Sequence, residues 1–499
     1  MDYTDNTKNN NLQNAALLME EKPTTAILDE KVKTPSKHKR LQSLDIVRGF
    51  TIALMIFVDD VGAAYPHLNH SPWNNITLAD FVMPWFLFMV GCSMAFSFRK
   101  FKVNYESKVQ GTKYALTRAL KLYLLGVLIQ GGDFFSEGSW SYGWNLATLR
   151  YCGILNRIGY AYGIVSLLEL WLPLNTCFEN IENPHIKLFI RNGWKWLGAF
   201  MFVLIYLLMT YLTFVPTWHS SYRWDKDGKT IFLNANETFL IDCDVRGSID
   251  SPQCSAAGFY DRLIFTQQHL GNWMSQRLAI CSSCSPGSCP RADAPSWCGA
   301  YMYDPEGFLA TIPTVMSCWL GLHFGHVVKF AGTKSKIIPH WSAFGTFLVA
   351  LGLIIHYTIM EMNKQLWTVS YVFFMAGTCG LSLVVVYCCV DVQHALQKYF
   401  SLFFSPLQYM GMNAILVFFW HGPAEALLGS VYITDGVNQL DPNLKRHTIL
   451  TWVQNEAIGN IVDGGPSAPL TTMIYVLLKI TCFLIATWYL YKIKYFWKV

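Results

Sequence analysis

Ten apolar stretches, each about 20 residues long and so long enough to cross a bilayer as a helix, dominate this chain. They fall at about 45–63, 79–98, 114–132, 150–171, 195–215, 307–328, 341–359, 367–391, 406–426 and 471–491. Hydrocarbon offers no partners to backbone N–H and C=O groups, so such runs must close their own hydrogen bonds as helices. Charged residues make up 14% of the 499-residue chain, against about 25% in an ordinary soluble protein. The predicted class is an all-α polytopic membrane protein of about ten transmembrane helices. A disulfide-containing lumenal segment is expected between spans five and six.

The links between spans test the count. Arg99, Lys100, Lys102, Lys108 and Lys113 follow span two, and Lys187 and Arg191 follow span four. Lys329, Lys334, Lys336, Lys398 and the C-terminal Lys492, Lys494 and Lys498 fall on the same side. The link after span one has no Lys or Arg. The positive-inside rule then puts both termini in the cytosol. Residues 1–39 are polar and mixed in charge, which predicts a disordered cytosolic tail ahead of a transmembrane domain over 40–499. A net charge of +5, without an arginine-rich or zinc-finger-like segment, gives no support for a nucleic-acid partner.

The lumenal insertion, 216–305, holds Cys243, Cys254, Cys281, Cys284, Cys289 and Cys298. An even set in an oxidising compartment predicts disulfides, with Cys243–Cys254 closing a small loop. Zinc on the run from Cys281 to Cys298 is the alternative, and no metal is expected. Asn75-Ile-Thr and Asn236-Glu-Thr are glycosylation sequons on the lumenal side.

Ionisable groups in or beside the spans are costly and therefore candidates for function. His70 stands in the short link after span one, and Asp59 lies at the lumenal end of that span. In span nine, Asn413 and His421 are eight apart, on roughly one helix face. A histidine beside a carboxylate can take a proton or attack a carbonyl. A loop histidine without a task and polar helix-packing contacts are the plainer readings. Arg40, Arg48, Arg118 and Lys121 gather at cytosolic ends, where they could clamp phosphates or simply obey topology. Arg48 is also three residues from Asp45, a helical ion-pair spacing. Arg150 and Arg157 could hold an acyl donor, or Arg157 could neutralise Asp59 or Asp133. No GxSxG, Walker, HExxH or dinucleotide motif occurs in a useful context.

Several segments carry a resemblance: RLQSLDIVRGF at 40–50, then LNHSPWN at 68–74 and ADFVMPWFLFMVG at 79–91. RYCGILNRIG, CSAAGFYDRL, YDPEG, LWTVSYV, GMNAILVFFWH and YFWKV follow in order. Together they resemble the heparan-alpha-glucosaminide N-acetyltransferase family over about 40–499. The resemblance implies acetyl transfer from cytosolic acetyl-CoA, as co-substrate, to a lumenal amine such as that of a terminal glucosamine. It implies His70 as the active-site histidine, a lysosomal or vacuolar membrane, and a homodimer. A family asparagine falls on Asp59, a departure in this chain. The animal enzyme's extra lumenal region and span before SLDIVRG have no match in this sequence. Arg40, Arg48, Arg118, Lys121, Arg150 and Arg157 become candidates for the donor, and Asn413 for an oxyanion contact. The rival from another class is a proton-coupled transporter of a small solute, which ten spans with internal charges would also suit. A nearby Asp59 carboxylate also raises the histidine pKa, so an optimum nearer neutral than that of an asparagine-bearing relative is expected.

Overall fold

The computed structural model describes residues 41–497, apart from 63, 131–132, 135–141, 176–181, 225–229, 235, 272–276, 283–292, 332–333, 393–396, 425–431, 435–445, 449–451 and 460–468. Helices occupy all ten apolar stretches. They are α1 Gln42–Val61, α2 Val82–Ser97, α3 Tyr105–Gln130, α4 Ile154–Trp171, α5 Gly193–Leu212, α6 Thr314–Ala331, α7 Lys334–Thr358, α8 Val369–Tyr387, α9 Gln397–Met412 and α10 Pro469–Lys492.

Among the described residues, six helices are long and apolar enough to cross a membrane, or seven if a bent pair counts as one span. The expectation of ten is met in helix position and only partly in composition. α1, α3 and α4 fall outside that set. α1 carries Asp45, Arg48, Asp59 and Asp60, and α3 carries Glu106, Lys108, Lys113, Arg118 and Lys121. α4 holds Arg157 and Glu169, both buried.

The bent pair is the ninth stretch. Leu402–Met412 and Ala414–Gly422 meet at 70° around Asn413. Asn413 Oδ1 accepts from Trp497 N at 3.2 Å, and its Nδ2 donates to Tyr495 O at 3.4 Å. The break therefore ends the single helical face that the sequence spacing gave Asn413 and His421. His421 instead sits in a π-helical turn, Trp420–Ala424, beyond the bend.

Small residues set the closest helix crossings, as packing in an apolar solvent requires. A Cβ on Gly49 would run into the Leu407 carbonyl, and one on Gly411 into that of Asp45, so α1 and α9 touch backbone to backbone. Gly91 and Gly321 do the same for α2 and α6, against Cys318 and Phe88. These contacts hold α1 against α9 and α2 against α6, and α1 and α2 are the helices joined by the link that carries His70.

The segment between α5 and α6 is a small folded unit. Three antiparallel two-strand ladders pair Phe214–Val215 with Val245–Arg246, Trp218–Ser220 with Phe239–Ile241, and Tyr222–Trp224 with Thr230–Phe232. The helix Ala256–Phe265 follows, started by a Ser255 side chain that accepts from Gly258 N. Cys243 and Cys254 form the expected disulfide, with Cα atoms 5.5 Å apart. Cys281 pairs with Cys298, which removes both sulfurs from any zinc site in that run. Cys284 and Cys289 lie outside the described residues.

Candidate active site

The link between α1 and α2 is built around one buried carboxylate. Thr77 and Asp80 form a reciprocal cap at the start of a short turn, Leu78–Phe81, that leads into α2. Asp80 Oδ2 accepts from Thr77 N at 2.9 Å and from Ser71 N at 3.1 Å. Its other oxygen, Oδ1, lies 2.9 Å from His70 Nδ1. The same residue thus caps a helix, folds the loop back and orients the imidazole. The Tyr371 hydroxyl on α8 donates to the Asp80 carbonyl at 2.5 Å and anchors the arrangement to the core.

A second loop, between α7 and α8, closes over the first. Lys364 Nζ lies 2.7 Å from His70 Nδ1, 3.4 Å from Nε2 and 3.5 Å from Asp80 Oδ1. Asn363 Nδ2 donates to Asn74 Oδ1 at 3.0 Å, and Gln365 Nε2 to Ser71 O at 3.0 Å, so the loops share hydrogen bonds. Trp367 holds a φ of 52°, a left-handed conformation that costs free energy for a bulky side chain. Its indole donates to Ser317 at 3.1 Å, and the Arg157 guanidinium covers its ring at 4.7 Å.

His70 is 18% exposed, and its Nε2 faces Asp59 Oδ1 at 3.8 Å. That distance is a charge contact rather than a hydrogen bond. The Asp59 side chain is 41% exposed, so it is accessible at this point of α1. His421 Nε2 lies 3.8 Å from Asp59 and 4.0 Å from Asp60, and Lys479 Nζ pairs with Asp60 at 2.6 Å. His70, Asp59 and His421 are therefore brought together as the sequence suggested.

Burial, helped by the Lys364 charge, lowers the His70 pKa below its ordinary value, against the opposing pull of Asp80 and Asp59. Asp59 does push the imidazole upward as expected, but it is outweighed. Burial likewise lowers the Lys364 pKa, opposed mainly by Asp80. Nδ1 faces an acceptor, Asp80 at 2.9 Å, and a donor, Lys364 at 2.7 Å, so the two compete for its tautomer, and hydrogen on Nδ1 is the form that Asp80 holds. In that form Nε2 is the basic nitrogen, 3.4 Å from Lys364 Nζ and 3.8 Å from Asp59 Oδ1. An imidazole oriented by a carboxylate in this way can accept a proton from a nucleophile.

The other candidates lie elsewhere. Arg48 donates to Ser93 at 2.6 Å and to Asp45 at 3.2 Å, completing the expected pair. It stands eleven residues before Asp59 on α1, about 16 Å along the axis. The Arg118 guanidinium covers the Tyr162 ring at 4.9 Å, and Lys121 is exposed one turn on. Arg40 lies outside the described residues. Arg150 grips Asp304 at 2.6 and 2.7 Å and Glu306 at 2.5 Å, which holds its pKa above the ordinary value. Arg157 donates to Pro305 O at 2.6 Å. These two arginines fasten the 303–311 loop to the helices.

Asp80 and Lys364 escaped the sequence reading, though both left signals. Thr77-Leu-Ala-Asp80 before an apolar run is a capping pattern. Lys364 is a cation in a link that the positive-inside rule leaves uncharged.

Residues 40–220 match the family model described as heparan-alpha-glucosaminide N-acetyltransferase, catalytic. The chain is similar to heparan-alpha-glucosaminide N-acetyltransferase of Mus musculus, 27% identical over 77% of this chain and 54% of the relative. It is 28% identical to the Homo sapiens protein of the same name, over 77% of this chain and 52% of the relative. The chain spans about half the length of the curated relatives it matches. The match covers the whole loop that carries His70 and Asp80. Over residues 40–220 this chain is thus similar to the heparan-alpha-glucosaminide N-acetyltransferase family.

Proposed function

We propose that the protein transfers acetyl from acetyl-CoA to an amine across a membrane, with His70 as general base. One observation carries the reading: an imidazole of lowered pKa, its Nδ1 held by buried Asp80 and its Nε2 open toward Asp59. In this reading all ten helices span, both termini are cytosolic, and the His70 loop and the 216–305 insertion are lumenal. The acceptor is the amine of a terminal glucosamine or a related amino sugar. Arg48, Arg118 and Lys121 hold the phosphates of acetyl-CoA at the cytosolic end, and the thin pantetheine arm runs along α1 toward Asp59.

The chemistry follows from the geometry. The amine nitrogen attacks the thioester carbon while His70 Nε2 takes its proton. The carbonyl electron pair moves to oxygen, then returns as the carbon–sulfur bond breaks. The thiolate leaves with that pair and is protonated to CoA. Asp80 stabilises the imidazolium formed on the way and keeps the ring from turning. Asp59 and His421 place the incoming ammonium and take its extra proton before the attack, so that the neutral amine reaches the thioester.

The test uses purified protein in vesicles, acetyl-labelled acetyl-CoA and a sugar ending in glucosamine. Label on the sugar, with an equal amount of CoA released, supports the reaction. Passage of an unmodified solute without CoA release would assign a carrier instead.

A further inference from the structure

Beside the His70 loop, the structure leaves one hydroxyl without a role. Tyr303 is only 3% exposed, yet its hydroxyl has no hydrogen-bond partner. Its neighbours are all engaged. Met302 O accepts from Arg262 at 2.6 Å, and Asp304 N donates to Asp261 at 3.1 Å. The Asp304 side chain takes Arg150 and the Gly271 N–H at 3.0 Å. The backbone on both sides of Tyr303 is therefore pinned.

The ring touches the catalytic loop. It meets Trp73 edge to face, with centroids 5.2 Å apart. Trp73 is three residues after His70, and its indole donates to Ile249 O at 3.0 Å. Arg277, from the same insertion, lies close enough to interact with Asp59, Asp80 and Tyr303 alike. The guanidinium thus links the phenol to the carboxylates that surround His70. Burial keeps the phenol protonated and so a donor. A buried hydroxyl without a partner costs stability that phenylalanine would not, so its retention calls for an occupant.

We propose that Tyr303 is a catalytic residue whose hydroxyl donates to the acyl oxygen of the thioester as that oxygen becomes negative. The inference rests on the acetyl-transfer reading above. When the amine nitrogen bonds to the carbonyl carbon, the π pair moves to oxygen and accepts the Tyr303 O–H. Collapse restores the double bond, expels the thiolate and releases the hydrogen bond. Tyr303 exchanges no proton and forms no covalent bond. Full burial suits a single acyl oxygen better than a sugar ring.

The experiment compares Tyr303→Phe with the parent, both purified, using acetyl-CoA and a glucosamine-ended acceptor. The expected result is a fall in kcat of about 10²–10³-fold with both KM values near the parent's, the cost of one oxyanion donor. The melting temperature without substrate should stay level or rise, because the variant buries no unpaired hydroxyl. A kcat equal to the parent's, or joint loss of kcat and melting temperature, overturns the proposal. A raised acceptor KM at constant kcat would make Tyr303 a sugar contact and overturns it too. If the variant does not fold, 3-fluorotyrosine at this position keeps size and sharpens the donor; an unchanged kcat there overturns the proposal. A parent that transfers no acetyl removes the reading beneath it, whereas an active parent with an equally active variant removes the Tyr303 role alone.

Discussion

His70 Nδ1 sits 2.9 Å from the Asp80 carboxylate that also caps the entry to α2, so one side chain fixes both loop and imidazole. Asp80→Asn keeps the volume but presents either an amide donor or a weaker acceptor to Nδ1. The wrong tautomer then places hydrogen on Nε2 and blocks the base. The expected loss in kcat is about 10²–10⁴-fold, the range for carboxylate-oriented histidines and general bases. Steady-state rates beside a melting curve check it. A parent-like kcat would remove Asp80 from the mechanism.

Two variants should move the acid limb of the pH–rate profile in opposite directions. The reaction needs neutral His70, whose pKa burial and Lys364 lower and Asp80 and Asp59 raise. Lys364→Met removes a cation, raises that pKa and shifts the acid limb to higher pH. Asp59→Asn removes an anion, lowers the pKa and shifts the limb to lower pH, by less than Lys364→Met because Asp59 is solvent-exposed. Profiles of kcat/KM on the acid side of neutrality decide this. Shifts of the same sign in both variants would contradict the assigned electrostatics.

The arginines separate by role. Arg150→Met leaves two buried carboxylates, Asp304 and Glu306, without their cation, a loss of about 3–5 kcal/mol for a broken buried pair. It should therefore lower the melting temperature. In the proposed reading Arg48 holds the donor, so Arg48→Ala should raise the KM for acetyl-CoA by about 1.5–3 kcal/mol, the worth of a charged hydrogen bond, while sparing the acceptor KM. Measured melting temperatures and Michaelis constants distinguish the two. An Arg48→Ala variant that weakens both substrates equally would place Arg48 in folding rather than in donor binding.

The positions of the helices were legible because hydrophobic run length is a local property, although among the described residues only six, or seven with the bent pair, are apolar enough to cross a membrane. So was the Cys243–Cys254 bridge, whose short loop leaves few other partners within reach. The break at Asn413 was not, because the contacts that hold it come from Tyr495 and Trp497, at the far end of the chain. Lys364 could be seen as an oddly placed cation, but its meeting with His70 depends on how α7 and α8 turn. The roles of Arg150 and Arg157 were left open for the same reason: their partners, Asp304, Glu306 and Pro305, lie about 150 residues onward in a separate loop. Asp59, His70 and His421 could be grouped in advance because an ionisable side chain in an apolar run demands a partner wherever it sits.

The central claim is tested most directly by the initial rate of label transfer from acetyl-CoA to a glucosamine-ended acceptor in His70→Ala. The expected result is a kcat reduced about 10²–10⁴-fold, the usual worth of a positioned general base, with the acetyl-CoA KM near the parent's and the protein folded. Folded His70→Ala that transfers acetyl at the parent's rate would contradict the account.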